Sequence, residues 1–379
     1  MKTVVIAGYA RSPFTLARKG DLATVRPDRL AAQTVAGLVA RTGVKVDDIE
    51  DLALGCAFPE GEQGLNMARL VALMSGLPRS VAGQTINRFC GSSMQSIHAA
   101  AGAIQMGAGE VFVCAGIESM SRVPMMGYNV LPDPDFARDM PGAYMGMGDT
   151  AENVAARWGI SRAEQEVFAV ASHQKADAAR AAGKFAAEIV AVTDKKGKTV
   201  SVDGCIRPET TLEGLAGLKP AFSATGVVTA GTSSPLTDGA SAVLVCSLEY
   251  AEKNGLEPLA KIKSIAVSGC DPEIMGIGPV GASLKAAARA GIDVKSIDVV
   301  ELNEAFASQA LACIRDLGLD PARVNLDGGA IALGHPLGAT GARIVGKAAS
   351  LMKREGKKTA LASQCIGGGQ GIATILEAL

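Results

Sequence analysis

Gly43-Val44-Lys45-Val46-Asp47-Asp48-Ile49-Glu50-Asp51-Leu52-Ala53-Leu54 aligns without gaps on Gly291-Ile292-Asp293-Val294-Lys295-Ser296-Ile297-Asp298-Val299-Val300-Glu301-Leu302, at a constant offset of 248 residues. Each copy follows an Ala-rich segment with helical spacing, Leu30 to Thr42 and Ala282 to Ala290. In each, a glycine ends the helix, and a short apolar run, Asp51 to Leu54 or Val299 to Leu302, then predicts a buried strand. The chain therefore reads as a duplication in which each half feeds a helix into a strand.

The flanks extend the repeat. A strand opens each half (Thr3 to Ala7; Ala260 to Val267), and a later helix and strand recur as Met94 to Met106 with Val111 to Ala115, and as Ala342 to Arg354 with Thr359 to Ser363. Alternating strands and helices predict a largely parallel sheet in each half with helices on both faces. Between the halves the composition changes. Pro124, Pro132, Pro134 and Pro141 precede the Met/Gly stretch Tyr144-Met145-Gly146-Met147-Gly148 and a helix from Ser161 to Ala182. Ser161-Arg162-Ala163-Glu164 reads as a capping box opening that helix, and Asp194-Lys195-Lys196-Gly197-Lys198 as a solvated turn. The expected organisation is an N-terminal α/β half (1–119 with 235–258), an inserted loop domain (120–234) and a C-terminal α/β half (259–379).

The 379 residues are 48% hydrophobic but only 4% aromatic, so the interior must be built from small aliphatic side chains in close-packed layers. A net charge of -1 removes the electrostatic footprint that nucleic acid requires. No stretch reaches the ~18 apolar residues of a membrane span. The first apolar run, Val4 to Gly8, is too short for a signal peptide, which predicts a cytoplasmic protein. Eight scattered cysteines with three histidines offer neither a disulfide framework nor a metal site, so a special thiol must be a reactive one.

Cys90 precedes Gly91-Ser92-Ser93-Met94 at the start of a long helix, where the dipole and free N–H groups are expected to favour the thiolate. His335, between Gly334 and Pro336, sits in a loop and can act as a base, whereas His98 and His173 fall inside helices and read as structural. Cys365 starts the run Ile366-Gly367-Gly368-Gly369-Gln370-Gly371, whose N–H groups can face an anion. Asn303-Glu304-Ala305-Phe306 follows the repeated strand at its C-terminal end. Gly276-Ile277-Gly278-Pro279-Val280-Gly281, with Glu301 about 20 residues later, mimics a dinucleotide fingerprint, but its strand ends too early and Pro279 interrupts the turn.

Taken together these segments resemble the thiolase family over essentially the whole chain. Asn87 to Ser93 resembles the nucleophile motif, Thr229 to Ala240 the coenzyme A loop, Asn303 to Phe306 the N-E-A-F motif, Gly329 to Gly341 the G-H-P motif, and Cys365 to Gly371 the C-x-G-G-G-x-G motif. The resemblance implies a duplicated five-layered α-β-α-β-α fold with an inserted loop domain. It implies attack by Cys90 on the 3-keto carbon of a 3-ketoacyl-CoA, with His335 as base and Cys365 protonating the acetyl-CoA enolate. Oxyanion donors would be His335 with a water held by Asn303, and the N–H groups of Cys90 and Gly367.

The family pattern also assigns Ser234 and Phe222 to the pantetheine and adenine region, Arg207 to the nucleotide end and Met147 to the pocket wall; a near-neutral chain binding a polyanion needs local basic residues, and Arg207 with Lys219 supplies them from the inserted region. Coenzyme A would be a substrate, with no permanently bound cofactor. Gly146 stands where many biosynthetic relatives carry His, and Cys90-Gly91-Ser92-Ser93 departs from their C-x-S-G. Both differences resemble the degradative thiolases of fatty-acid β-oxidation. The alternatives are an acetoacetyl-CoA-forming thiolase, a silent acyl-CoA-binding protein of the same fold and a nicotinamide enzyme built on 276–281. The family generally forms dimers or tetramers, and some members join a hydratase/dehydrogenase partner.

Overall fold

The computed structural model describes residues 2–379. Its main sheet has ten strands. From one edge to the other the order is Val299–Leu302, Thr359–Ile366, Gln370–Glu377, Ala260–Gly269, Val4–Arg11, Thr237–Ser247, Val111–Ser119, Asp51–Cys56 and Ala82–Ile86, with Thr15–Leu16 paired on Thr237–Ser247. The two halves meet through a short antiparallel pairing, Val5 with Lys261 and Ile6 with Ala260.

Alternation along the strands generates the layers. Val5 and Ala7 face one core with helices Pro27–Thr42 and Met67–Met74, while Val4 and Ile6 face the other way. That second core holds helices Ser92–Gln105 and Leu337–Glu355 between the sheets of the two halves. A third core packs Gly278–Ala290 and Ala307–Leu317 on the far face of the C-terminal half. The result is α-β-α-β-α. The central helices approach so closely that a Cβ on Gly341 would lie 2.3 Å from the Met94 nitrogen, which is why this layer is rich in Gly and Ala.

The repeated segments form the elements expected of them. Gly43 and Gly291 both adopt left-handed φ, 66° and 70°, at the ends of their helices. Ser161 and Glu164 complete the capping box of Arg162–Ala181, and Asp194 accepts from the N–H groups of Lys196 and Lys198 in a tight turn.

The expectation of a largely parallel sheet is corrected. Asp51–Cys56 is parallel to both its neighbours and Val299–Leu302 is parallel to Thr359–Ile366, but every other pairing is antiparallel. Gln370–Glu377 returns through a hairpin, and Thr237–Ser247 re-enters the sheet from the helical inserted segment running against Val111–Ser119. The glycine run after Cys365 is a hairpin turn, with Gly368 and Gly369 at φ 78° and 81°.

The dinucleotide-like segment is also accounted for. A Cβ on Gly278 would lie 2.0 Å from the Gln370 carbonyl oxygen, so this glycine lets a helix press onto a strand. The Glu301 carboxylate is engaged by Arg343 at 3.0 Å inside the protein.

Candidate active site

The loops at the C-terminal ends of the parallel strands converge on one region. Ala82–Ile86 leads through Asn87 and Arg88 into the turn Phe89–Gly91, which delivers Cys90 to the start of Ser92–Gln105. The turn is tight enough to hold Phe89 at φ 41°. Asn87 Oδ1 accepts from the Phe89 N–H at 2.8 Å, and Ser92 Oγ accepts from Arg88 N–H at 2.9 Å while donating to the Phe89 carbonyl at 2.6 Å.

Cys90 and His335 line one cavity of about 310 Å³ together with Met147, Phe222, Ser234 and Phe306. Cys90 and Met147 also line a second cavity of about 440 Å³, whose walls include Phe58, Val130, Tyr144 and Gly367. Cys90 thus stands where the two meet. Cys365 is buried behind the first wall, packed with Met275, Ala305 and Phe306, and its preceding residue Gln364 donates its amide to the Cys90 carbonyl.

The imidazole of His335 is held in one tautomer. Its Nδ1 lies 2.6 Å from Thr340 Oγ1, whose hydroxyl donates to the Pro336 carbonyl at 3.2 Å. With that hydrogen used, Nδ1 is the donor, and Nε2 keeps its lone pair. Asn303 places its side-chain nitrogen 3.4 Å from Nε2, and its own Oδ1 is buried without a protein partner.

Burial pushes the Cys90 thiol up to about 12, against the pull of the Gly367 N–H and with a further rise from Glu118. Burial takes His335 down to about 3, aided by the positive charge of Arg343. The expectation of a thiolate favoured by the helix N-terminus is therefore corrected. Desolvation outweighs the backbone N–H groups that act on the sulfur, which favours a neutral thiol and a neutral imidazole. Burial also raises Cys365 well above the usual thiol range, with Cys90 adding to the rise.

Two CoA candidates lie elsewhere. Arg207 and Lys219 are exposed on the inserted segment and do not line either cavity at Cys90. Phe222 stacks edge-on with Phe306 at 5.8 Å, and Ser234 Oγ donates to the Ala305 carbonyl at 3.1 Å. The helical histidines are structural: His98 Nε2 lies 2.9 Å from Thr374 Oγ1, and His173 Nδ1 accepts from the Arg207 N–H at 3.1 Å.

Glu304 faces away from the cavities toward Ser172, Asn325 and the Ile331 N–H, tying the inserted segment to the loop before His335. A residue that motif reasoning missed is Glu118. Fully buried, it accepts from the N–H groups of Ala57 at 2.8 Å and Gly338 at 2.9 Å and from Gln63 Nε2 at 2.8 Å. A lone acid in the apolar run Val111–Ser119 was the available signal, since a buried carboxylate must be paired or hydrogen-bonded. Among the described residues no cluster of His, Cys, Asp and Glu could hold a metal ion, and no helix is long and apolar enough to cross a membrane.

This arrangement coincides with comparisons over the full chain. The thiolase N-terminal domain model matches residues 4–249 and the C-terminal domain model residues 256–378. The chain belongs to the thiolase family. A 3-ketoacyl-CoA thiolase of Bacillus subtilis is 48% identical, covering 100% of both chains, and one from Marinomonas is 49% identical, covering 99% of this chain and 98% of the relative. The crystal structure of human mitochondrial 3-ketoacyl-CoA thiolase superposes with a TM-score of 0.92 at 39% identity, covering 100% of this thiolase and 99% of the human chain. A second human structure, in complex with CoA, matches with the same TM-score and identity, covering 100% and 98%.

Proposed function

We propose that this thiolase cleaves 3-ketoacyl-CoA with coenzyme A, giving acetyl-CoA and an acyl-CoA shortened by two carbons, as an enzyme of fatty-acid β-oxidation. The observation that carries the reading is the position of Cys90 where two cavities meet. The arm with Phe222 and Ser234 suits the pantetheine chain, and the arm with Phe58, Val130 and Tyr144 suits an acyl chain longer than acetoacetyl. The 3-ketoacyl-CoA thiolase names of relatives near half identity support the same substrate class.

In the first half-reaction His335 Nε2 takes the proton of Cys90 as the sulfur attacks the 3-keto carbon. The N–H groups of Gly367 and Cys90, which already act on the sulfur, hold one developing oxyanion. The C2–C3 bond breaks, its electron pair forms the acetyl-CoA enolate, and the proton of Cys365 goes to C2. His335, now protonated and backed by Asn303, stabilises the enolate oxygen. His335 then passes its proton to the Cys365 thiolate, restoring both groups. In the second half-reaction coenzyme A loses its thiol proton to His335, its sulfur takes the acyl group from Cys90, and that proton returns to the departing Cys90 thiolate. No permanently bound cofactor is required.

Segment 120–234 supplies the substrate wall on this reading, between halves formed by 1–119 with 235–258 and by 259–379. Arg207 and Lys219 serve the phosphates beyond the cavity mouth. We place the enzyme in the cytoplasm as a dimer or tetramer; the outer edge of Ala82–Ile86, which pairs with no further strand among the described residues, supports the oligomer. A hydratase/dehydrogenase partner would supply its substrate.

Thiolysis rates across 3-ketoacyl-CoAs of four to sixteen carbons test the reading. Chains of eight carbons or more are expected to outrun acetoacetyl-CoA. The reverse order would favour the acetoacetyl-CoA-forming alternative.

A further inference from the structure

Asn303 directly follows the strand Val299–Leu302, and Glu301 stands two residues before it, so both side chains leave the backbone on one face. That face meets the start of Leu337–Glu355. Thr340 and Arg343, three residues apart on this helix, share one side of it. Asn303 meets the imidazole that Thr340 grips, and Glu301 meets Arg343 at 3.0 Å. The two contacts are successive rungs of one ladder between strand and helix.

The lower rung is a poor stabiliser. Glu301 and Arg343 are 1% and 2% exposed at their side chains, yet Glu301 Oε1, Arg343 Nε and Arg343 Nη2 have no partner among the described residues. Two buried charges joined by a single hydrogen bond recover little of their desolvation cost, and well-packed apolar residues often do as well or better. Stability alone does not account for the pair. It does fix the register of strand against helix one rung below the base, and Arg343 is the charged group whose field reaches His335.

We propose that Glu301 and Arg343 are positioning residues for the thiolase reaction, holding Asn303 against His335 so that Nε2 keeps its aim at Cys90. The proposal rests on His335 being the base, as in the proposed function. Neither residue touches substrate.

The test uses Glu301→Gln, Arg343→Met and the apolar double variant Glu301→Leu with Arg343→Met, each assayed per Cys90 titrated with iodoacetamide. We expect kcat and the alkylation rate of Cys90 to fall about tenfold or more, because misplacing a catalytic group by a fraction of an ångström is costly. KM for coenzyme A should stay within about twofold, since the interactions lost are not those that bind it. The double variant guards against misfolding of the singles: it should melt no lower than the parent chain and remain slow. Full kcat and full alkylation rate in the double variant would overturn the proposal, as would losses explained wholly by fewer titratable Cys90 sites. The alkylation readout needs no substrate. A parent chain that alkylates normally but cleaves no 3-ketoacyl-CoA would sink the thiolase reading and leave the positioning claim to be judged on alkylation alone.

Discussion

The Gly338 N–H donates to the Glu118 carboxylate at 2.9 Å, joining residues 220 positions apart and pinning the loop of His335 to the half that carries Cys90. The same carboxylate receives the Ala57 N–H and the Gln63 amide. Glu118→Ala takes the acceptor from the N–H groups of Ala57, Phe58 and Gly338 and from the Gln63 amide, and at about 1–3 kcal/mol for each orphaned donor it should cost roughly 4 kcal/mol of stability or more, allowing for partial relaxation. Glu118→Gln keeps the shape and should cost less. Urea unfolding of both variants gives the comparison, and an alanine variant within 1 kcal/mol of the parent would contradict the assigned role.

The state of the nucleophile is measurable in the enzyme without substrate. With Cys90 near 12 and His335 near 3, the thiolate is the minor form throughout the neutral range. Alkylation of Cys90 by iodoacetamide at about pH 7 should therefore run well below the rate of a free thiolate, with His335 Nε2 taking the proton as the sulfur reacts. A rate at that pH equal to that of a fully ionised thiol would mean a preformed thiolate–imidazolium pair.

Acid should destabilise the fold through its neutral histidines. Burial lowers His98 to about 3, so between pH 6.5 and 3 the unfolded chain binds a proton that the folded chain does not. Stability from this group is whole above pH 6.5 and is lost as pH falls through that window, with a slope of about 1.4 kcal/mol per pH unit. Replacing His98 by Gln keeps a donor for Thr374 and removes that slope. Parallel urea curves at pH 7, 6 and 5 would show it, and identical slopes in parent and variant would refute it.

Phe222 presses on Gly148, where an added Cβ would lie 2.0 Å from its ring. Gly148→Ala must move that ring away from Phe306 and from the cavity wall. We expect KM for coenzyme A to rise about tenfold, the equivalent of roughly 1.4 kcal/mol, with kcat within about threefold. Steady-state kinetics with coenzyme A varied decide the point; an unchanged KM would take Phe222 out of the coenzyme A site.

Much of the architecture was written in the repeated segments, because a helix ended by Gly43 or Gly291 and followed by a four-residue apolar run leaves the chain few options. Strand direction was not legible. Thr237–Ser247 and Gln370–Glu377 carry the same apolar signature as a parallel strand; a hairpin turn reverses the second, and the helical insertion before the first leaves its sense unmarked in the sequence. Of the candidate site, the settings of Cys90, His335 and Cys365 were legible through glycine and proline punctuation and that of Asn303 through the end of the repeated strand, while their proposed roles came from the family resemblance alone. Their protonation was not legible: a helix N-terminus is visible in Gly91-Ser92-Ser93, whereas the desolvation that overrides it depends on Met120, Leu337 and other distant residues. Glu301 shows the same limit. Its sequence spacing mimicked a ribose-binding acid, and its partner Arg343 lies on a helix 42 residues away.

The account as a whole requires a covalent acyl group on one sulfur. Brief incubation with a 3-ketoacyl-CoA in the absence of coenzyme A, followed by intact mass and peptide mapping, should find one shortened acyl group per chain on Cys90, discharged when coenzyme A is added and absent from Cys90→Ser. An unmodified chain that still releases acetyl-CoA, or an acyl group on Cys365 or any other residue, would contradict it.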